Sequence, residues 1–351
     1  MLTEKNNNSD PVLVAALDWG LGHATRCIPL IRLLLKQGYA VSLAGSGASG
    51  QLLHTEFPDL PYETIPSHTI QYARSKQGLL WAILRQIPQL LQQIRQEKAW
   101  LHQYLQQHPT KIVVSDNRYG LHHPTTHNIL LTHQLGLRSG WSPLTDKILQ
   151  RLLIRLLKNF DACWVPDHAD EPNLSGELGH PKYTPPIPVQ YIGPLTRFKP
   201  TQRALIPNKI TIVLSGPEPQ RTLLEEKCLN ELSAWNGEVE LIRGIAPGTK
   251  KINAPNHWKV TDLLSGDALQ QAIEEADWII ARSGYSTLMD LHALNKKSIL
   301  IPTPGQPEQE YLANWLTGKK QWYCINQSKD LLVAMKHAQA QPTTNGNFSA
   351  R

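Results

Sequence analysis

Several short stretches of this sequence combine residue types that can do chemistry. Gly20-Leu21-Gly22-His23 places an imidazole after a glycine turn, where it could take a proton from a hydroxyl or, when protonated, donate to a phosphate. Ser115-Asp116-Asn117-Arg118-Tyr119 supplies a carboxylate that could serve as a second base or orient His23. Further along, Arg282-Ser283-Gly284-Tyr285-Ser286-Thr287 runs from an apolar stretch into a helical pattern. Small residues there let backbone amides approach a diphosphate at a helix start, although a capping Ser286 and a turn at Gly284 would suit the same letters. Asp290, four residues after Ser286, falls on the same helix face, within reach of a ribose. Leu214-Ser215-Gly216-Pro217-Glu218-Pro219-Gln220-Arg221 is a second small-residue turn, with Arg221 available to neutralise phosphate charge. In Pro302-Thr303-Pro304-Gly305-Gln306-Pro307-Glu308-Gln309-Glu310, the side chains of Gln306, Gln309 and Glu310 suit sugar hydroxyls.

The elements that must position these loops follow from hydrophobic periodicity. Strands are expected at 12–17, 40–44, 62–65, 112–114, 129–132, 162–165 and 189–192, with helices between most of them. After a Pro-rich, basic stretch at 194–209, read as a linker, the rhythm restarts. Strands are expected at 210–214, 238–242, 278–281 and 298–301, and helices at 220–232, 268–275, 286–294 and 308–315. Strands alternating with helices predict an α/β chain of two doubly wound, largely parallel sheets with an interdomain cleft. The expected domains are 1–195 and 196–338, followed by a disordered tail over 339–351.

Other chemistries lack their signatures. Thr25 and Arg26 stand where a dinucleotide-binding loop needs its third glycine. There is no GxxxxGK[ST] loop, HExxH helix, GxSxG elbow or DxD pair, so neither a metal nor a cofactor is expected. The net charge of +6 is spread along the chain and favours anionic small molecules over nucleic acid. Cys27, Cys163, Cys228 and Cys324 show no CxxC spacing and read as packed thiols. The polar start MLTEKNNNSDP has no apolar core of a signal peptide and predicts a cytoplasmic protein. The stretches 78–99 and 149–160 mix Leu and Ile with Arg and Lys; they suit core packing or peripheral contact with the inner membrane face.

In combination these motifs resemble the GT-B glycosyltransferases of the family 28 type, the group with the transferase that adds N-acetylglucosamine to the lipid-linked peptidoglycan precursor. The loop Gly20 to Arg26 is similar to that group's glycine-rich loop ending in His, Ala281 to Leu291 to its Ser-Gly donor loop, and Pro302 to Asn314 to its donor-sugar loop. The resemblance implies metal-independent, inverting transfer of a hexose or N-acetylhexosamine from a UDP-sugar to a hydroxyl acceptor. It places the diphosphate at Ser283, Gly284, Ser286 and Thr287, near Ser215 and Gly216, the ribose at Asp290 and the donor sugar at Gln309 and Glu310; from the loops themselves, Arg282 or Arg221 is expected to stabilise the leaving diphosphate. His23 matches the family's N-domain His, with Gly20, Gly22 and Arg26 on the acceptor side. The family usually has Glu at position 290 and Gly-Gly-Ser at the Ser215 turn. The same donor pocket would also serve a nucleotide-sugar hydrolase, a 2-epimerase or a non-catalytic binder.

Overall fold

A computed structural model describes residues 10–66, 79–137, 142–249, 251–319 and 322–340. The chain divides into two compact units, Met1–Arg197 and Phe198–Arg351.

The first unit is built on a seven-stranded parallel sheet. Its strands are β1 (Pro11–Ala16), β2 (Ala40–Gly45), β3 (Tyr62–Thr64), β4 (Ile112–Asp116), β5 (His127–Leu131), β6 (Ala162–Val165) and β7 (Val189–Tyr191). They lie in the order β3-β2-β1-β4-β5-β6-β7. Helices α1 (Leu21–Lys36), α2 (Gly47–Glu56), α3 (Leu79–Gln107) and α4 (Pro143–Leu157) supply the connections. β1 is apolar throughout because both of its faces are covered: Val12, Val14 and Ala16 pack against Cys27, Ile28 and Ile31 of α1, while Leu13 and Ala15 pack with Leu101 and Tyr104 of α3.

The second unit repeats the plan with β8 (Ile206–Val213), β9 (Val239–Ile242), β10 (Trp258–Thr261), β11 (Ala276–Ala281), β12 (Ser298–Leu300) and β13 (Trp322–Cys324), in the order β10-β9-β8-β11-β12-β13. Its helices are α5 (Gln220–Leu232), α6 (Gly266–Glu275), α7 (Tyr285–Ala293), α8 (Pro307–Leu316) and α9 (Leu331–Ala340). Ile210 and Ile212 of β8 pack on Leu224 and Cys228 of α5 and Met335 of α9. Each sheet grows outward from one strand in both directions, so a topological switch point falls between β1 and β4, and another between β8 and β11.

Two expectations are corrected. The stretch expected to be linker through Lys209 ends in sheet, because β8 begins at Ile206 and Ala276 pairs with it across the ladder. The tail expected to be disordered from 339 begins inside α9, which runs to Ala340 and buries Leu331, Met335 and Ala338; residues 341–351 lie outside the described ones.

A buried ion pair fixes the carboxyl edge of the first sheet. Arg118 Nε donates to the carbonyl of Ala16 at 2.8 Å, and its terminal nitrogens to Glu97 Oε1 and Ser46 Oγ, each at 2.9 Å. One side chain thereby ties the ends of β1 and β2 to α3. Burial pushes the Glu97 carboxyl up, against the opposing pull of Arg118 and hydrogen bonds from Gln93 and the Gly120 amide. Arg118→Met would strand that carboxylate, so denaturant unfolding of the variant is expected to show a loss of about 3–5 kcal/mol. A loss below about 1 kcal/mol, the scale of an exposed pair, would show that Arg118 holds nothing together.

Candidate functional site

The first cluster of chemical groups stands at the switch point of the N-terminal sheet. Ala16 of β1 is in register with Asp116 of β4, and the chain leaving β1 turns at Gly20, whose φ of 122° suits glycine alone. α1 then starts at Leu21 with no side-chain cap, which places His23 in its first turn. At the end of β4, Asn117 takes a φ of 52°, a left-handed conformation that asparagine tolerates.

His23 Nδ1 lies 3.1 Å from Asp116 Oδ1 and 2.9 Å from a terminal nitrogen of Arg26. Arg26 donates from Nε to Asp116 Oδ2 at 2.9 Å, and its terminal nitrogen closes a fork on Oδ1. Its other terminal nitrogen meets His133 Nδ1 at 3.1 Å. Asp116 is fully buried, and burial alone would raise its pKa; the charges of Arg26 and His23, with their hydrogen bonds, override this and hold the carboxyl far below the usual range. The His23 ring, 17% exposed, is pushed down by burial first and by Arg26, against Asp116. Asp116 is therefore a permanent anion at physiological pH, suited to orienting His23 and unsuited to taking a proton itself. When Nδ1–H faces Asp116, Nε2 is left as the ring's proton acceptor. His133, which follows β5, joins this cluster without having been singled out from sequence; its signal was the one that marked Asp116, a polar residue just past an expected strand.

The second cluster occupies the switch point of the C-terminal sheet. Val213 and Ala281 are in register, so the turns at Ser215-Gly216 and Arg282-Ser283-Gly284 leave neighbouring strand ends. α7 begins with Gly284 as N-cap, and no side-chain bond caps it. Ser286 thus does not close the helix in the way its sequence position suggests. Gly284 has φ −72°, open to any residue, and a Cβ there would meet nothing closer than Gln309 Nε2 at 4.0 Å. No turn requires glycine at this position. Gly284, Ser286, Thr287 and Asp290 are partly exposed while Tyr285, Leu288 and Met289 are buried, so the expected nucleotide residues share the open face of α7. Gly216, by contrast, has φ +101° and lies beside Thr303, whose Oγ1 would stand 3.9 Å from a Cβ on Gly216. That hydroxyl is buried with no hydrogen-bond partner, and sequence reasoning passed over it within the Pro302 loop.

The expected arginines serve the frame. Arg221 is buried and bonded to Glu218, Glu225 and Thr222, with Glu225 shared by Arg243; it is committed to this ion network and is not held out toward a phosphate. Arg282, 1% exposed, donates to the carbonyls of Pro302 and Gln220 at 3.2 and 2.6 Å and to Gln327 at 2.9 Å. Burial lowers its pKa to about 10. It binds three loops together, and its Nε is buried with no hydrogen-bond partner. Ser283 Oγ donates to the carbonyl of Gln309 at 3.0 Å. The side chains expected at the sugar hold their own loop: Gln309 accepts from the Thr303 amide at 2.9 Å and donates to Gln306 at 2.6 Å, and Glu310 accepts from the Gly305 amide at 3.1 Å. What the C-terminal cluster leaves open is the start of α7 with Ser286, Thr287 and Asp290 on its open face, beside the unpartnered Thr303 hydroxyl. Among the described residues, no group of three His, Cys, Asp or Glu could hold a metal ion.

Residues 255–336 match the model of the glycosyltransferase family 28 C-terminal domain. Solved structures align along nearly the whole chain. MurG of Acinetobacter baumannii has 15% identity and a TM-score of 0.57, covering 95% of this chain and 90% of its own. UGT89C1 of Arabidopsis thaliana, solved with UDP-L-rhamnose, has 13% identity and a TM-score of 0.62, covering 96% and 91%. The spinosyn rhamnosyltransferase SpnG, solved with thymidine diphosphate, has 13% identity and a TM-score of 0.59, covering 94% and 89%. This is the GT-B glycosyltransferase fold. Its two Rossmann-like units match those structures, and the match to the family 28 C-terminal domain lies within the second of them. No curated protein sequence matches the chain.

Because Gly284 is free of any backbone demand, it separates fold from ligand binding. Gly284→Ala is expected to leave stability within about 1 kcal/mol and to weaken nucleoside-diphosphate binding about tenfold or more, because the added Cβ would keep an anion from closing on the amides that alanine retains. Calorimetry showing unchanged affinity would mean that the start of α7 does not meet phosphate.

Proposed function

We propose that the chain is a metal-independent glycosyltransferase that moves a hexose or N-acetylhexosamine from a nucleoside-diphosphate donor, UDP in the first instance, to a hydroxyl acceptor with inversion. The observations that carry this reading are made within each unit: an imidazole oriented by Asp116 at the switch point of the first, and a helix start that no side chain caps at the switch point of the second. The acceptor hydroxyl oxygen attacks the anomeric carbon, its proton passes to His23 Nε2, and the bond from that carbon to the diphosphate breaks with its electron pair leaving on the diphosphate. Asp116 stabilises the ring as it gains the proton. The amides and positive dipole end of α7 receive the developing charge, Asp290 meets the ribose, and Gln306, Gln309 and Glu310 face the sugar with whatever bonding capacity their loop contacts leave. The nucleotide-sugar is a substrate, and no cofactor enters the chemistry.

The test is a thermal-shift panel of UDP, GDP, dTDP and CMP, since a ligand bound only by the folded state raises the melting temperature with its concentration. UDP is expected to give the largest rise. With a matched UDP-sugar and acceptor, His23→Ala is expected to lose at least about 100-fold in kcat with the UDP response intact. No response to any nucleotide would end the proposal, and rapid free-sugar release without acceptor would replace it with hydrolysis.

The acceptor side of the same reading includes an anionic lipid surface. α4 turns Leu153 and Leu157 to the core and leaves Leu144 and Ile148 at 68% and 56% exposure. Lys147, Arg151 and Arg155, with Lys158 at the C-cap, are exposed on that same side. Two bare aliphatics ringed by cations complement an anionic interface. In the stretch 78–99, the side chains of 78–87 lie outside the described residues. Among the described residues, no helix is long and apolar enough to cross a membrane. Co-sedimentation with phosphatidylglycerol vesicles is expected for the native chain. Loss of pelleting is expected with Leu144→Glu/Ile148→Glu and with neutral phosphatidylcholine; equal pelleting of native chain and variant would exclude α4 as the contact.

A further inference from the structure

Arg26 lies three residues after His23 on α1, is 2% exposed, and aims its donors at Asp116 and His133 with the His23 ring beside them. It forks onto both oxygens of Asp116, the carboxylate that faces His23. It also donates to His133 Nδ1 at 3.1 Å, and its terminal nitrogen stands 2.9 Å from His23 Nδ1, a close contact and not a hydrogen bond when Nδ1–H is turned to Asp116. A guanidinium only donates, so His133 presents its Nδ1 lone pair and carries its proton on Nε2.

A lone carboxylate beside an imidazole favours the imidazolium, and an imidazolium cannot accept a proton. The groups facing His23 resolve this conflict. Asp116 comes from β4, Arg26 from the same helix as His23, and His133 from the segment after β5. The Cys27 thiol donates to Asp116 Oδ2 at 3.5 Å. The Tyr119 phenol lies within the fields of Arg26 and Asp116. Burial pushes the thiol and the phenol well above their ordinary values, so both stay uncharged. One buried anion therefore faces one fixed cation, and a second cation on the ring would be uncompensated in a desolvated site.

We propose that Arg26 is a positioning residue that holds His23 in its neutral, proton-accepting form by occupying the Asp116 carboxylate, with His133 as the acceptor that keeps the guanidinium aligned. This rests on the reading of His23 as the base for transfer. Without Arg26, the dyad would charge at ordinary pH and the base would be spent. With it, the ring stays ready under mildly acidic conditions, and Asp116 still fixes its orientation.

The experiment titrates the imidazole of His23 by NMR in the full chain, alongside the pH profile of kcat/KM. In the native chain His23 is expected to titrate below its ordinary value of 6.5. Arg26→Gln, which removes the charge, is expected to move that titration up by about one unit or more, with the acid limb of the profile following. Arg26→Lys, which keeps the charge, is expected to leave both within about 0.3 units of the native chain. A purely structural role would lower activity in both variants with the limb unmoved. Native titration above 6.5, or equal titrations for the Gln and Lys variants, overturns the proposal. Should Arg26→Gln fail to fold, the native titration and the Lys variant still decide. A chain whose His23 titrations move as expected but which transfers no sugar retains the Arg26 assignment and loses the transferase reading.

Discussion

A parallel sheet that grows in both directions from one strand cannot cover the carboxyl ends of its two central strands, because their connections leave on opposite faces. In this chain the uncovered ends belong to β1 and β4 in one unit and to β8 and β11 in the other. The His23–Asp116 pair and the Ser215 and Ser283 turns stand at those two places, and His133 and the Pro302 loop reach them from the next strands, β5 and β12. The bodies of these strands are buried on both faces, so reactive groups are carried by a last strand residue such as Asp116 or by the residues that follow.

At the N-terminal switch point, the difficulty is keeping charge where water has been excluded. Asp116 and Arg118 are two residues apart, and regular pleating would send both to the same face of the sheet. Val114 belongs with the α1 side and Val113 with the α3 side, so Asp116 continues toward α1 and finds Arg26. The left-handed turn at Asn117 then breaks the alternation, and Arg118 is delivered to α3 and Glu97 instead. One residue of unusual backbone conformation thus gives each of two buried charges its own counter-ion. Had the pleat continued, Arg118 would approach Arg26 and leave Glu97 unpaired, a loss on the scale of several kcal/mol.

Most of the regular structure was legible because it depends on local periodicity. The strand 162–165 and the helix 220–232 have the expected limits. Elements escaped where the local signal was short or mixed: β10 alternates Lys259 with Val260 at a sheet edge, β13 has three residues, and α2 opens with two glycines and a serine among its first four residues. The loops of both clusters were legible for the same local reason, as small or polar residues directly after apolar runs. The duties of the arginines were not, since partners come from tertiary structure. Arg282 takes carbonyls from Gln220 and Pro302, and nothing in a sequence announces that a carbonyl will be free. Arg221 differs, because Glu225 four residues on is an ordinary helical ion-pair spacing, a signal that the reading of the Ser215 turn passed over.

The two clusters solve the problem of preorganisation in opposite ways. In the N-terminal unit the functional group is a side chain, and its state depends on neighbouring charges that must all be present together. In the C-terminal unit the side chains with the right chemistry are spent on the frame: Arg282 ties three loops, Ser283 holds the carbonyl of Gln309, and Gln309 holds the amide of Thr303. Spending them there keeps the amides at the start of α7 in a fixed direction, so a phosphate would meet dipoles that need no rearrangement. A site of that kind is insensitive to which small side chain follows each strand and sensitive to anything that moves the frame. The direction of those amides is therefore set by residues of the frame, Arg282 foremost.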